Sequence, residues 1–204
     1  MTYKTSGVII QKLKERKLKM SDCLILNADG NPLSVVPLSV VSWQTAIRLA
    51  YQEKVRIMCE YDDWEVHSPS CTWKVPSVVI CSDFIKWHRQ VKYNRTNILL
   101  RDLYTCQLCS AKPPANQLTL DHVVPRIHGG KTNWTNIVAA CKRCNHKKGA
   151  SQKIKPKVLP TKPNYYELCA KRMKFPIIIR DKTWLQFLSW NEKLVEFRPP
   201  RKNI

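Results

Sequence analysis

The chain has 204 residues, 44% of them hydrophobic, which is enough for a packed core and excludes wholesale disorder. Lys and Arg total 35 against 15 Asp and Glu, a net charge of +20 that repels cationic partners and points to a polyanion, nucleic acid first. No run of 18 apolar residues exists and the first twenty residues lack the apolar stretch of a secretory signal, which argues against a transmembrane helix or a secreted chain. The odd count of nine cysteines argues against a fully paired disulfide framework and for a reducing, cytoplasmic setting.

In chain order, residues 1–20 read as a basic extension, with Lys4, Lys12, Lys14, Arg16, Lys17 and Lys19 facing only Glu15. Its apolar positions are too few for a membrane-surface helix. Residues 21–94 read as a small N-terminal α/β unit. Leu24-Ile25-Leu26 is a short apolar run closed by the turn cluster from Asn27 to Pro32. Ser42 can cap a helix to about Gln52 with Trp43, Ile47 and Ala50 on one face, and strands follow at Val55–Cys59 and Val75–Cys81. Glu60, Asp62, Asp63 and Glu65 make this unit locally acidic, a poor nucleic-acid face. Arg95–Leu103 reads as a helix entering a core over 95–152. Residues 153–163 are rich in Lys and Pro and read as an extended linker. Residues 164–204 read as a helical extension, with short helices at Asn164–Arg172 and Thr183–Trp190 around Ile177-Ile178-Ile179. Trp184, Phe187, Leu188 and Trp190 in it suit packing better than base stacking.

Cys106-Gln107-Leu108-Cys109 and Cys141-Lys142-Arg143-Cys144 are two C-x-x-C pairs. Each can aim two thiolates at one ion, and together they complete a tetrahedral four-cysteine site, the usual arrangement of structural zinc. All four protein ligands are used, so this ion has no open position for water. Cys23, Cys59, Cys71, Cys81 and Cys169 have no comparable spacing and read as ordinary thiols.

The segment between the pairs carries Leu118-Thr119-Leu120-Asp121-His122-Val123-Val124-Pro125, an apolar strand that delivers a carboxylate beside an imidazole. Then come Gly129-Gly130, Asn133, Trp134, Asn136, the apolar run Ile137–Ala140, the second Cys pair, and Asn145-His146-Lys147-Lys148-Gly149. This order resembles the HNH endonucleases, the ββα-metal nucleases, over about residues 101–150. Leu26-Asn27-Ala28-Asp29 and Pro32-Leu33-Ser34-Val35-Val36 resemble the N-terminal part of a bacterial and phage subgroup. The resemblance implies an α+β protein: a ββα-metal (HNH) core stapled by a four-cysteine zinc site, with the small N-terminal α/β unit and the helical C-terminal extension added.

The resemblance also implies a metal-dependent DNA endonuclease, of homing or phage-encoded type. Its site residues would be His122, Asp121, Asn136 and Asn145. Histidine titrates near neutrality and suits a general base, so His122 would activate water. Asp121 and the Asn145 carbonyl, or alternatively His146 next to it, would hold Mg2+ or Mn2+, which take oxygen ligands. Asn136 would orient the loop and the His122 ring. Many relatives carry histidine where this chain has Asn145. Neighbours on a strand face opposite ways, so Asp121 and His122 can act on one phosphate only by straddling it or on a distorted strand; the phosphate is expected between them. His128, before the Gly129-Gly130 turn, could contact phosphate but reads first as an incidental surface histidine, and His67 and His88 read as structural or solvated.

No acidic residue lies between His122 and Tyr166. Arg126, Lys131, Lys142, Arg143, Lys147, Lys148, Lys153 and Lys155, with Lys157 and Lys162 beyond, would track the phosphates of double-stranded DNA without reading sequence. The competing reading is a zinc-dependent nucleic-acid-binding module without catalysis, in which Asp121, His122 and Asn145 play no chemical part.

Overall fold

The computed structural model describes residues 22–86 and 90–200. The basic extension over residues 1–20 and His88 lie outside the described residues. The chain falls into two compact units: residues up to 88 together with those from Met173 on, and residues from Arg89 to Arg172.

The first unit is built on a four-stranded sheet of order β2-β1-β4-β3, with β1 Cys23–Leu26, β2 Val40–Val41, β3 Val55–His67 and β4 Thr72–Cys81. β1 is antiparallel to β2 and parallel to β4, and β3 and β4 form an antiparallel hairpin. All four residues of β1 are buried, because both faces of the sheet are covered. Cys23 and Ile25 pack with Ala46 and Leu49 of α1 (Trp43–Tyr51); Leu24 and Leu26 pack with Ile177, Ile179, Trp184, Leu188 and Trp190.

Ser42 caps α1 as its sequence suggests, its Oγ accepting the Thr45 N–H at 3.3 Å. The buried stripe differs from the expected one. It runs through Ala46 and Leu49, one position around the helix from Trp43 and Ile47, which are only half-buried. β3 also runs well past Cys59. Its exposed positions Glu60, Asp62, Asp63 and Glu65 hide the strand from a reading by hydropathy, while Tyr61 and Trp64 point inward. Register shifts between Ile57 and Glu65 break strict alternation.

The residues from Met173 on are less helical than their sequence suggests. β7 (Ile177–Ile179) pairs in parallel with β8 (Val195–Phe197), and Lys182–Phe187 and Glu192–Leu194 are 3-10 turns. The tryptophans pack: Trp184 is buried and donates from Nε1 to Ser77 O at 2.9 Å, and Trp190 donates to Phe175 O at 3.0 Å. This stretch therefore belongs with the N-terminal sheet.

The second unit holds α2 (Arg95–Arg101), the antiparallel hairpin of β5 (Leu118–His122) and β6 (Ile137–Cys141), α3 (Lys142–Lys148) and α4 (Tyr165–Arg172). Asn94 caps α2 by accepting the Asn97 N–H at 2.8 Å, and Leu103 and Tyr104, both at positive φ, end it. Arg101 is buried and all five of its N–H groups are engaged. Nε and Nη2 pair with Asp102, Nη1 donates to Trp134 O and Thr161 O, and Nη2 donates to Ile137 O. Asp102 Oδ2 in turn accepts the Ala139 N–H at 2.7 Å. The Lys/Pro stretch is not a free linker. Pro156, Pro160 and Pro163 are buried, and Lys157 N donates to Gln107 O at 2.9 Å. It straps the outside of this unit.

Among the described residues no helix is long and apolar enough to cross a membrane. None of the nine cysteines, all among the described residues, forms a disulfide.

Asp22 is 1% exposed and one of its carboxylate oxygens has no hydrogen-bond partner among the described residues. Burial raises its carboxyl to about 6, against the pull of Arg180. The folded state thus binds this proton more tightly than the unfolded chain, whose Asp titrates near 3.9. The favourable protonation is fully present below about pH 4 and is lost as pH rises through about 6. Asp22→Asn should stabilise the protein at pH 7 by on the order of 1–2 kcal/mol, with the gain vanishing at pH 4, in denaturant melts at the two pH values.

Candidate functional site

The Cys pairs meet. The ligand atoms of Cys106, Cys109, Cys141 and Cys144 all lie within 4.8 Å of one another, and the Cys109 and Cys141 sulfurs are 4.0 Å apart. Four sulfurs about 2.3 Å from one tetrahedral ion would be about 3.8 Å apart, so the cage closes on an ion by inward shifts of at most about 1 Å. Cys141 stands at the N-cap of α3 and its sulfur accepts the Cys144 N–H at 3.4 Å. At Cys106 burial pushes the thiol up, but the backbone N–H groups of Cys141, Cys109 and Leu108 outweigh it and bring the thiol down to about 7. Cys144 is pushed up to about 12, by burial and then by the sulfurs of Cys141 and Cys109. Four crowded sulfurs cannot all hold negative charge unaided; a divalent cation removes the conflict. The cluster can therefore hold one structural metal ion such as zinc, and it ties the start of the second unit's insert to the start of α3.

Strand parity sets the rest. In β5, Leu118 and Leu120 face the apolar cores and Thr119 and Asp121 face α3. The register pairs Asp121 with Val138 and His122 with Ile137. Asn145 and Lys148, three apart on α3, meet Thr119 and Asp121, two apart on β5. Asn145 Nδ2 donates to Thr119 Oγ1 at 2.9 Å, and Thr119 donates its own proton to Ala140 O at 2.9 Å. With that proton committed, Thr119 can only accept, so Asn145 must turn its nitrogen to the strand and leave Oδ1 as its free atom.

Lys148 Nζ donates to Asp121 Oδ1 at 3.1 Å and to His122 O at 2.5 Å, and lies 3.0 Å from Asp121 Oδ2. That contact to Oδ2 is an ion pair only: hydrogen-bond geometry is met at Oδ1, and Oδ2 is buried without a hydrogen bond among the described residues.

His122, one residue on, is half-buried and its Nε2 is hydrogen-bonded to Thr132 Oγ1 at 2.8 Å. The hydrogen bonds of the Asn136 side chain go to the loop backbone and not to the ring. Its Nδ2 donates to Val124 O (3.0 Å) and Lys131 O (2.8 Å), and its Oδ1 accepts the Val124 N–H (2.8 Å). By fixing the carbonyl of Lys131, Asn136 sets the position of Thr132 and so acts on His122 at one remove. Gly130 closes the same loop: a Cβ there would fall 1.7 Å from Val124 O and 2.9 Å from Asn136 Nδ2.

Residues 106–157 match the family described as HNH endonuclease, and residues 23–89 match the HNH endonuclease-associated N-terminal domain. Together the two matches support an HNH endonuclease family assignment. Nuclease chemistry on nucleic acid is the activity class of its HNH domain. Searched against curated proteins, the chain has no match.

Of the basic residues of the HNH unit, Arg126, Lys131, Lys142, Arg143, Lys147, Lys153 and Lys155 are exposed, as are Lys157 and Lys162. Lys148, grouped with them from sequence, is 2% exposed and lies on Asp121 instead. His128 and His146 are exposed. His67 is exposed on the other unit, where its Nδ1 bonds Thr72 Oγ1. Sequence reasoning passed over Thr119, Thr132 and the role of Lys148. Thr119 had a signal, being a hydroxyl residue two before Asp121 and so on the same strand face. Lys148 had one too, three residues from Asn145 on a helix. Thr132 had none, because the loop brings it back.

Two outcomes follow. Chelation, or Cys109→Ser, should unfold the HNH unit, seen as loss of one equivalent of bound metal and of protection from protease; metal retention should fall as pH drops, because thiolates are the ligands. Gly130→Ala should keep that metal but force Val124 and Asn136 apart, lowering HNH activity by at least about tenfold in a nicking assay.

Proposed function

We propose that this HNH protein is a metal-dependent endonuclease that hydrolyses phosphodiester bonds of double-stranded DNA. The observation that carries the reading is a consecutive carboxylate and imidazole on opposite faces of β5, each held by its own partner, Lys148 and Thr132. Zinc is the ion that suits the four thiolates of Cys106, Cys109, Cys141 and Cys144. Reduced thiols throughout suit a cytoplasmic setting.

Asp121 and Asn145 fit a hard cation. Asp121 Oδ2 is buried without a hydrogen bond, and Asn145 is anchored through nitrogen with its carbonyl oxygen left over. We assign these two as the ligands of Mg2+ or Mn2+, ahead of the exposed His146. When bound, the ion supplies positive charge beside the phosphoryl oxygens and the departing 3′ oxygen.

The chain's own residues do the rest. His122 is the general base. His122 Nε2 lies 2.8 Å from Thr132 Oγ1; we assign the tautomer in which Nε2–H donates to that oxygen, which leaves Nδ1 the lone pair that takes the proton from water. Thr132 holds the ring in that tautomer and Asn136 holds Thr132. The hydroxide formed attacks phosphorus, and the bond to the 3′ oxygen breaks. Arg126, Lys131, Lys142, Arg143, Lys147, Lys153 and Lys155 hold the DNA backbone, so affinity falls steeply with salt and is blind to sequence.

Purified protein should nick plasmid DNA only with Mg2+ or Mn2+, and His122→Ala should lower the rate by about 10^2–10^4-fold while leaving DNA binding intact. Equal cleavage by His122→Ala would sink the assignment of the base. DNA retention with no divalent-dependent strand loss in the parent protein would leave the non-catalytic binding module as the reading.

A further inference from the structure

One cation of the HNH unit is set apart from the basic surface. Lys148 is buried, its side chain 1% exposed, beside an Asp121 side chain 7% exposed. Its single ammonium joins two consecutive residues, through the Asp121 carboxylate at 3.0 and 3.1 Å and the His122 carbonyl at 2.5 Å. A phosphate-tracking lysine needs its ammonium at the surface, as Lys147 has.

The charges around Asp121 are few. Outside the four cysteines, no group of three or more His, Cys, Asp or Glu among the described residues is gathered closely enough to hold a metal ion. The site thus offers one carboxylate, one neutral amide (Asn145) and one ammonium, a sum of zero. A divalent cation approaching Asp121 meets a charge that is already neutralised, and a buried ammonium that repels it in a medium where charges are poorly screened. A DNA phosphate supplies the missing negative charge.

We propose that Lys148 is a positioning residue and not a DNA contact: it keeps Asp121 and His122 in place before a divalent ion arrives, and it makes divalent binding at Asp121 conditional on a DNA phosphate. The proposal rests on Asp121 being a ligand, as assigned above. Linkage makes the coupling reciprocal, so the ion must strengthen DNA binding by the same factor. A nuclease built this way holds little catalytic metal until DNA is bound.

The test is Mn2+ binding by electron paramagnetic resonance, on the full-length, zinc-loaded protein in a His122→Ala background so that DNA stays intact. With Lys148 present, an added duplex should raise Mn2+ affinity by at least about tenfold. Lys148→Met, with Lys148→Gln as the second neutral variant, should bind Mn2+ about tenfold more tightly without DNA, and the effect of the duplex should shrink to less than about threefold. Lys148→Arg should keep the dependence on DNA. With zinc kept in place and no Mg2+ or Mn2+ added, Lys148→Met should retain DNA within about twofold of the parent while Lys147→Ala loses affinity. Zinc content and circular dichroism identify the folded variants to compare. No tightening in either neutral variant without DNA overturns the proposal, and so does a loss of DNA retention in Lys148→Met equal to that in Lys147→Ala. Asp121→Asn separates the two levels. If it abolishes Mn2+ binding, the ligand assignment stands and the Lys148 variants alone decide; if it binds Mn2+ like the parent, the ligand assignment and the proposal fall together.

Discussion

The HNH unit depends on a buried guanidinium. Arg101 has five N–H groups in a fixed plane and the fold gives every one an acceptor: the Asp102 carboxylate and the carbonyls of Trp134, Ile137 and Thr161. Asp102 passes the constraint on by accepting the Ala139 N–H. Two neighbouring residues at the end of α2 therefore fix the loop before β6, two positions of β6 itself, and the proline strap. A charge held this way cannot be half-satisfied, since breaking a buried pair costs on the order of 3–5 kcal/mol. The register of β6 is thereby set, and with it the register of β5 across the hairpin.

The proposed chemistry rests on one strand's two faces. Leu118 and Leu120 are spent on the core, so Thr119 and Asp121 must face α3. α3 begins at Cys141, whose place is set by the four-sulfur cluster, so Asn145 and Lys148 arrive opposite Thr119 and Asp121. His122, at the strand's end, is left to the loop. There Gly130 and Asn136 fold Lys131 and Thr132 back upon it. The four-cysteine cluster has a separate role from the proposed site but bears on it, because it sits at the start of the helix that carries Asn145 and Lys148.

The net charge of +20 divides in the same way. Glu60, Asp62, Asp63 and Glu65 lie exposed on β3 of the other unit, whereas the exposed lysines and arginines of the HNH unit surround a segment without acids. Lys148 shows that a residue within such a run can serve the opposite purpose. Its neighbour Lys147 is exposed, and one helical step of about 100° separates a surface ammonium from a buried counter-ion.

By itself the sequence pointed to the HNH family, the four-thiol cluster, the cap at Ser42 and the tryptophans as packing residues, and it marked Asp121-His122 as the pair now proposed for the site. Each is written in local spacing or in residue chemistry that has few alternatives. It did not determine the length of β3, because exposed acids on a strand's outer face look like loop. Nor did it reveal that the Lys/Pro stretch is strapped down or that residues from Met173 on pack against the N-terminal sheet, since both depend on contacts distant in sequence. Only the tertiary structure decided which hydroxyl meets His122 and which lysine meets Asp121. Those contacts are made by chain segments that return from elsewhere, and hydrogen bonds across such a gap leave no period in the sequence to read.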